Sequence, residues 1–370
     1  MRYPGFVGPS VPSRARTVNH ERTVNLYVEG SRGTPKHDPS LLIRPATRSW
    51  SYCAPGPVRA LFWQDGRMFA VSGGWCYEVL SSRQVTILGQ VALDARPATI
   101  SSNGTGGFQL FITSGGLGYI FDLSTNSFQQ ITDPEFPVPC DWGGYLDSYF
   151  VAKQAGTNQF QISALLDGLT WSGLDVAQAS LSSDRKVAMA ISHRELWFLG
   201  TKNTEVWYNS GNASFPFEPI EGVFVEHGIA AQYSVANLDN TIYWLGLDSA
   251  GQGIVWRANG YTPERISDHA LEHNLSTWAT LSDALGFAFQ LGGHAWYALV
   301  SPHNDTTWIY DVGQQTWTEW AQWDERLMRF VPWVGRSAAS GWGHQFIGDR
   351  QSGMIYTLTL DEYQDRLVWL

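Results

Sequence analysis

The sequence predicts an all-β protein, a β-propeller of seven blades with six as the alternative count. Three observations carry this reading. The composition is rich in turns and aromatics and poor in charge, a strand-turn unit recurs along the chain, and an aromatic sits near the centre of almost every copy. Of 370 residues, 14% are aromatic and only 16% are charged, with 18 Trp and 37 Gly; an average soluble domain carries about 25% charged residues. So apolar a chain can bury a large core, which excludes intrinsic disorder. No run of 18 apolar residues occurs, which excludes a spanning helix. The first residues, MRYPGFVGPSVPSRAR, lack an apolar segment, so no signal peptide is expected.

Along the chain, residues 1–56 read as an extended N-terminal arm with one strand-like stretch, RTVNLYVEG (Arg22 to Gly30), and residues 57–370 as the propeller. The first copy of the unit is VRALFWQ, the turn Asp65-Gly66, RMFAVSGG, WCYEVL and QVTILG. The second is GFQLFITSGG, LGYIFDL and FQQIT; the third is SYFVAKQAG, NQFQISALLDG and TWSGLD. ELWFLGTKN, TEVWYNSG and FEPIEG make the fourth, and TIYWLGLDSAG, GIVWRANG and PERIS the fifth. The sixth is HAWYALVSP, TTWIYDVGQQ and TWTEW, and a weaker seventh runs HQFIGDRQSG, MIYTLTLDEY and RLVWL. Their central positions align at Tyr77, Phe121, Gln161, Trp207, Trp256, Tyr310 and Tyr356, spaced by 44, 40, 46, 49, 54 and 46 residues. Repeats of ~40 to ~50 residues built from four short strands are the mark of propeller blades.

The physics behind the repeat is burial. A four-stranded sheet with two apolar faces cannot bury both alone, whereas stacked neighbours cover each other. The plain reading of nearly every aromatic is therefore core between blades. VRALFWQ, VAMAIS, QYSVANL and LGFAFQL are the candidate inner strands. Between copies five and six, Ile266, Ala270, Leu271 and Leu275 recur at helical spacing in 267–278, with Ser267 as the expected cap.

Motifs that would carry chemistry fail in detail. His269, Glu272 and His273 spell H-x-x-E-H, yet a third zinc ligand and a protease scaffold are missing. Asp167-Gly168-Leu169-Thr170-Trp171 is close to a sialidase aspartate box, but lacks one intervening residue and occurs once. The candidate inner strands are poor in the paired carboxylates that glycoside hydrolysis needs. Asp122 and Asp311 fall at matching repeat positions, which suits turn formation. Three cysteines, Cys53, Cys76 and Cys140, imply neither a disulfide framework nor a zinc site. No catalytic, cofactor-binding or metal-binding residue is expected, and no cofactor.

Charge points the same way. Lys plus Arg number 24 against 34 Asp plus Glu, a net charge of -10. Nucleic-acid binders usually carry a basic patch. Here the basic residues gather only in the arm, at Arg14, Arg16, His20, Arg22, Arg32 and Lys36, which reads most simply as a solvated loop.

Several stretches are more specific than propensity requires: RTVNLYVEG, SALLDGLTW (Ser163 to Trp171), HRELWFLGTKNTEVWYNSGNASFPF (His193 to Phe217), VEHGIAAQYSVANLDNTIYWLG (Val225 to Gly246) and GQGIVWRANGYTPERIS (Gly251 to Ser267). Together they resemble the packaged-DNA-stabilisation family of short-tailed bacteriophages, the tail hub or nozzle proteins. The resemblance spans essentially the whole chain. It implies a structural virion protein of the tail, assembled in the bacterial host cytoplasm, and not an enzyme. It further implies a homo-hexameric tube below the portal and its adaptor ring, which retains packaged DNA and conducts it on ejection. Tail fibres or spikes would attach around it, and a needle or plug at its distal end. Family members also carry a region beyond the equivalent of Leu370. In this reading genomic DNA passes through the lumen without sequence-specific binding, and no membrane anchor is implied. The candidate assembly contacts lie in the arm, at Arg14, Arg16, Arg22, Asn25, Tyr27 and Glu29; the equally simple alternative is an extra strand on the propeller itself. A hydrolase or lyase propeller acting on surface polysaccharide, and a monomeric binding propeller, are the competing classes.

Overall fold

The computed structural model describes residues 7–8, 10, 22–30 and 39–367. The antiparallel pair β1 (Leu26–Glu29) and β2 (Ser40–Ile43) comes first, then β3 (Ala46–Tyr52). The first four-stranded sheet is β4 (Val58–Gln64), β5 (Arg67–Ser72), β6 (Trp75–Val79) and β7 (Val85–Gln90). The second is β8 (Thr99–Ser102), β9 (Gln109–Ser114), β10 (Leu117–Asp122) and β11 (Ser127–Gln130). The third is β12 (Cys140–Leu146), β13 (Tyr149–Gln154), β14 (Gln159–Ala164) and β15 (Asp167–Gln178). The fourth is β16 (Lys186–Ser192), β17 (Glu195–Gly200), β18 (Thr204–Asn209) and β19 (Phe217–Val225). The fifth is β20 (Ala236–Leu238), β21 (Thr241–Leu247), β22 (Gly253–Asn259) and β23 (Thr262–Arg265). Helix α1 (His269–Ser276) precedes the sixth, β24 (Leu285–Leu291), β25 (His294–Ser301), β26 (Thr306–Asp311) and β27 (Thr316–Glu319). A hairpin, β28 (Ala321–Asp324) and β29 (Arg329–Pro332), leads to β30 (Gly335–Gly341), β31 (His344–Asp349) and β32 (Met354–Thr359).

Six sheets are hydrogen-bonded in chain order, and the seventh has the order β3-β32-β31-β30. Seven such sheets in succession make a seven-bladed β-propeller, which resolves the count in favour of seven. All seven aligned repeat positions fall on the third strand of their blade, and all are buried. The last blade corrects the sequence reading. Its fourth strand is β3, from the segment assigned to the arm, where RLVWL had been expected. Cys53 N donates to Gly353 O at 2.7 Å beside it, so the exposed edge of β32 is covered by chain from the other end of the sequence. Arg366 forms only an isolated bridge to Arg48, and residues 368–370 lie outside the described residues.

Tight turns explain the Gly, Asn and Asp content. In six blades the first two strands are joined by two residues that both have positive φ: Asp65-Gly66, Asp147-Ser148, His193-Arg194, Asp239-Asn240, Gly292-Gly293 and Trp342-Gly343. That is the backbone of a type I′ hairpin turn, whose twist matches the flanking strands. His193 (φ 53°) and Arg194 (φ 61°) occupy this left-handed region at a steric cost that Asn and Gly avoid.

The chain divides into two compact units, residues 49–229 with 336–356, and residues 1–48, 230–335 and 357–370. In the first, apolar clusters lie between consecutive sheets. Phe69, Leu110 and Phe121 join the first and second blades, Phe111, Phe136, Phe150 and Trp171 the second and third, and Phe160, Phe198 and Trp207 the third and fourth. The second unit has one large cluster built on Tyr243, Tyr297, Trp308, Tyr310 and Trp317. Helix α1 packs Leu271 and Leu275 into it. Its cap is Asp268, whose carboxylate accepts from Leu271 N at 2.8 Å. Ser267, the expected cap, instead accepts from Val255 N and donates to Glu272. Burial pushes all three free cysteine thiols up to about 12.

One ion pair is sealed inside the first unit. Lys186 Nζ lies 2.9 Å from Glu205 Oε1 with both side chains fully buried, and the ammonium also donates to Asn203 Oδ1. Neither carboxylate oxygen is aligned with a hydrogen-bond donor, so desolvation is poorly offset. Glu205→Gln should destabilise the fold by about 3–5 kcal/mol in denaturant titration, whereas Lys186→Met with Glu205→Leu should be neutral or stabilising. Converting His193-Arg194 to Asn-Gly should raise stability by about 1 kcal/mol in the same assay, because the turn strain is relieved and only exposed contacts, His193 with Ser192 and Arg194 with Asp147, are lost.

Candidate functional site

Four of the six residues singled out in the arm, Arg22, Asn25, Tyr27 and Glu29, meet partners on or beside the sixth blade. Val24 forms a parallel bridge to Glu319, and Asn25 N donates to Glu319 O at 2.8 Å, so this stretch runs along the edge of β27. Arg22 clasps the Glu319 carboxylate through two nitrogens, Nε at 2.7 Å and a terminal nitrogen at 2.5 Å. That hydrogen bond raises the Arg22 pKa further above its ordinary value. Asn25 then turns the chain with φ 60°, a conformation Asn tolerates well. Its Oδ1 accepts from Arg44 Nε at 2.9 Å and from Ala321 N at 2.8 Å.

Beyond the turn, β1 pairs with β2 and presents alternate side chains to β25. Tyr27 is buried, edge-on to the His294 ring at 5.1 Å and the Trp296 ring at 5.7 Å. Glu29 Oε2 lies 2.8 Å from His294 Nε2, and Asp311 Oδ2 lies 2.6 Å from His294 Nδ1. A neutral imidazole donates from one nitrogen only; both carboxylates are satisfied when the ring is protonated. The Asp311 hydrogen bond raises the His294 pKa above its ordinary value; burial opposes this and Glu29 adds to it. Gln314 Nε2 closes the segment by donating to Gly30 O at 2.7 Å.

Arg44 ties this segment to the rest of its unit. Its guanidinium is buried and donates to Asp365 Oδ1 at 3.1 Å and Oδ2 at 2.5 Å, while Thr47 N donates to the same carboxylate at 2.8 Å. Beside it lies a cavity of about 200 Å3 lined by Asn25, Arg44, Trp323, Tyr363 and Asp365. The assembly is a latch: the Arg22–Glu319 pair and the Glu29–His294–Asp311 bridge fasten residues 22–30 to the sixth blade, and the bidentate Arg44–Asp365 pair holds the loop that follows β2.

Four of the six arm residues, Arg22, Asn25, Tyr27 and Glu29, therefore meet partners within their own chain, while β1 pairs with β2 in a two-stranded sheet outside the seven blades and Val24 makes the backbone bridge to β27. Arg14 and Arg16 lie outside the described residues. Sequence reasoning missed the receiving side: Glu319, His294 and Arg44. A buried Glu inside the aromatic run TWTEW was the available signal for Glu319; nothing local marked His294 or Arg44. Asp311 does form the expected turn, accepting from Gln314 N at 3.0 Å, and Asp122 does likewise with Ser124 N and Thr125 N.

The rejected motifs have structural roles. Glu272 turns inward to Arg265 and Ser267, while the His269 side chain is 98% exposed. Among the described residues no cluster of three His, Cys, Asp or Glu is placed to hold a metal. Asp167 organises a turn, accepting from Leu169 N at 3.0 Å and Thr170 Oγ1 at 2.7 Å, and Trp171 Nε1 donates to Gly168 O. Across the first strands of the seven blades the one carboxylate is Asp141, held at 3.2 Å by Lys153. That is half of what a glycosidase pair requires.

Comparison with known proteins follows this geometry. A family model described as Bacteriophage P22 Gp10, beta-propeller matches residues 34–363. No curated protein sequence matches the chain. Among solved structures, virginiamycin B lyase from Staphylococcus aureus is similar with a TM-score of 0.55 at 9% identity, covering 83% of this chain and 95% of that one. A streptogramin B lyase gives 0.51 at 10% identity, covering 90% and 98%, and U3-55K gives 0.51 at 11%, covering 85% and 98%. At such identities these likenesses show the fold alone.

The His294 bridge has a pH signature. Because its folded pKa is raised, the stabilisation is fully present below the ordinary histidine pKa of about 6.5 and fades as pH rises through the raised value. Wild-type thermal midpoints should fall between pH 6 and pH 8.5, and amides of β1 should exchange faster at the higher pH. Glu29→Gln should shrink that pH difference; an unchanged difference would show that the bridge does not hold the segment.

Proposed function

The chain belongs to the phage-stabilisation family of β-propellers, a family of phage structural proteins, and from that premise we propose that it is the tail hub or nozzle of a short-tailed phage. The observation that carries the reading is the family match, which runs through all seven blades from residue 34 to residue 363. In this function six copies form a tube below the portal and adaptor ring. The tube closes the channel after packaging, retains the genome, and conducts it on ejection. Fibres or spikes dock around the tube and a needle or plug closes its far end. The parts are made in the host cytoplasm and end in the virion tail.

The physical demands of such a part are rigidity and repeated contact. Sheets locked by aromatic packing between blades meet the first demand. The second calls for head-to-tail interfaces, in which one patch meets a different patch on the next copy until rotation closes the ring. With a net charge of -10 per chain, we further propose an acidic lumen along which phosphates slide without being held. A strongly basic lumen in the assembled ring would contradict that step.

The test is a native mass measurement with particle imaging, on the purified chain alone and with the adaptor ring. Six-fold rings, alone or on the adaptor, are expected; a chain that stays monomeric in both conditions rejects the tube. Deleting residues 1–30 should weaken the ring or adaptor binding if the arm reaches a neighbour. Unchanged rings and binding would confine the arm to its latch on the sixth blade.

A further inference from the structure

Two features outside the latch fit each other. The first is the hairpin of β28 and β29, which belongs to none of the seven blades. Its tip, residues 324–329, carries Leu327 at 48% and Met328 at 72% exposure. The tip is stiff. Asp324 Oδ1 accepts from both Arg326 N and Leu327 N at 2.9 Å, Met328 sits at φ 51°, and Arg329 pairs with Asp305 at 3.0 Å. At its base the Trp323 and Phe330 rings meet edge to face at 5.2 Å. Arg326 is exposed and has no partner among the described residues.

The second feature is an open cleft of about 490 Å3 on the third and fourth blades. Its walls include Tyr149, Ile162, Leu165 and Pro216, with Asp147 and Asp175 among the polar groups. Leu165 is 62% exposed, and Asp175 has no partner among the described residues. The volume lies in the range of pockets that hold a ligand-sized group. A cleft of mixed lining, with Leu165 exposed and the Asp175 carboxylate unpaired, is the complement of a mostly charged tip that exposes Leu327 and Met328 and leaves the Arg326 guanidinium unpaired. Arg194, paired with Asp147 and 81% exposed, offers the opposite charge to Glu325 of the tip.

We propose that the β28–β29 tip of one copy inserts into this cleft on a second copy, Leu327 and Met328 filling it and Arg326 meeting Asp175. The occupant is another copy because knob and hole are different surfaces of one chain, carry opposite unpaired charges, and both stand open. That is the self-complementarity a heterologous, ring-closing contact needs. The docking rests on the tube reading above and supplies its interface. A preformed knob loses little conformational entropy on insertion, and its two apolar side chains are the anchors of the contact.

The test uses the full-length chain carrying Met328→Cys and Leu165→Cys, treated with a short bis-maleimide; the native thiols are buried and do not compete. A ladder of linked chains is expected from the double variant and a linked dimer from an equimolar mixture of the two single variants, with no linkage from either single variant alone. Leu327→Asp, with its thermal midpoint unchanged, should weaken self-association about tenfold or more by sedimentation. Arg326→Glu should weaken it, and Arg326→Glu with Asp175→Arg should restore it. Rings that persist without cross-linking, or with Leu327→Asp, overturn the docking and leave the tube standing. A chain that is monomeric with and without the adaptor overturns both.

Discussion

Everything in this molecule depends on one constraint: a four-stranded sheet that is apolar on both faces is unstable until neighbours cover both. Each blade satisfies it with an aromatic at the centre of its third strand or a residue of similar bulk. Tyr77, Phe121, Trp207, Trp256, Tyr310 and Tyr356 are all buried there. The one exception, Gln161, keeps its place by donating to Ser172 O at 2.7 Å. Aromatic rings suit the task because they bury much area with few torsions to freeze. Some polar tips are turned to backbone acceptors, as Tyr297 Oη donates to Ser234 O and Trp317 Nε1 to Ile266 O, whereas the Nε1 atoms of Trp207, Trp296 and Trp320 are buried without an acceptor among the described residues. The scarcity of charge follows from the same constraint, since few positions in such an arrangement face water on both sides of a sheet.

The repeat was legible because it is local. Each blade is one stretch of chain, its turns need positive φ, and its core positions recur with the blade. The first strands of four blades and the third-strand register could therefore be read directly. What escaped was whatever joined distant residues. The strand β3 lies about three hundred residues from β32 in the chain, and no spacing rule marks a strand that completes a sheet begun at the other end. RLVWL, apolar and adjacent, was the natural local choice. The helix cap shows the same limit on a smaller scale. Ser267 and Asp268 are both good caps by type, and Ser267 is diverted by Val255 N and Glu272, groups that only the fold brings near.

The candidate site was half legible for the same reason. The arm residues stood out in sequence, but a latch has two sides. Its receiving side, Glu319, His294, Asp311 and Arg44, is spread over three strands and a loop. Ionisable residues in this chain are mostly spent in that way, each matched to a partner inside the fold: Arg67 with Glu78, Arg265 with Glu272, Lys153 with Asp141. Against that background a guanidinium and a carboxylate left without partners beside exposed apolar side chains carry more information than any motif in the sequence.

The family match begins at residue 34, after the latch segment and before β3. Residues 22–30 therefore derive no role from family membership, and their meaning has to come from their contacts. Those contacts are of two physical kinds. Tyr27 is buried against Trp296 and contributes a pH-independent term. The His294 bridge contributes a term that fades as pH rises, and the Arg22 and Arg44 pairs weaken with salt in proportion to their exposure. Arg22 is the more exposed of the two arginines, 55% against 6%, so salt should loosen the start of the segment before its end. A segment fastened unevenly in this way holds β1 more firmly than its first residues.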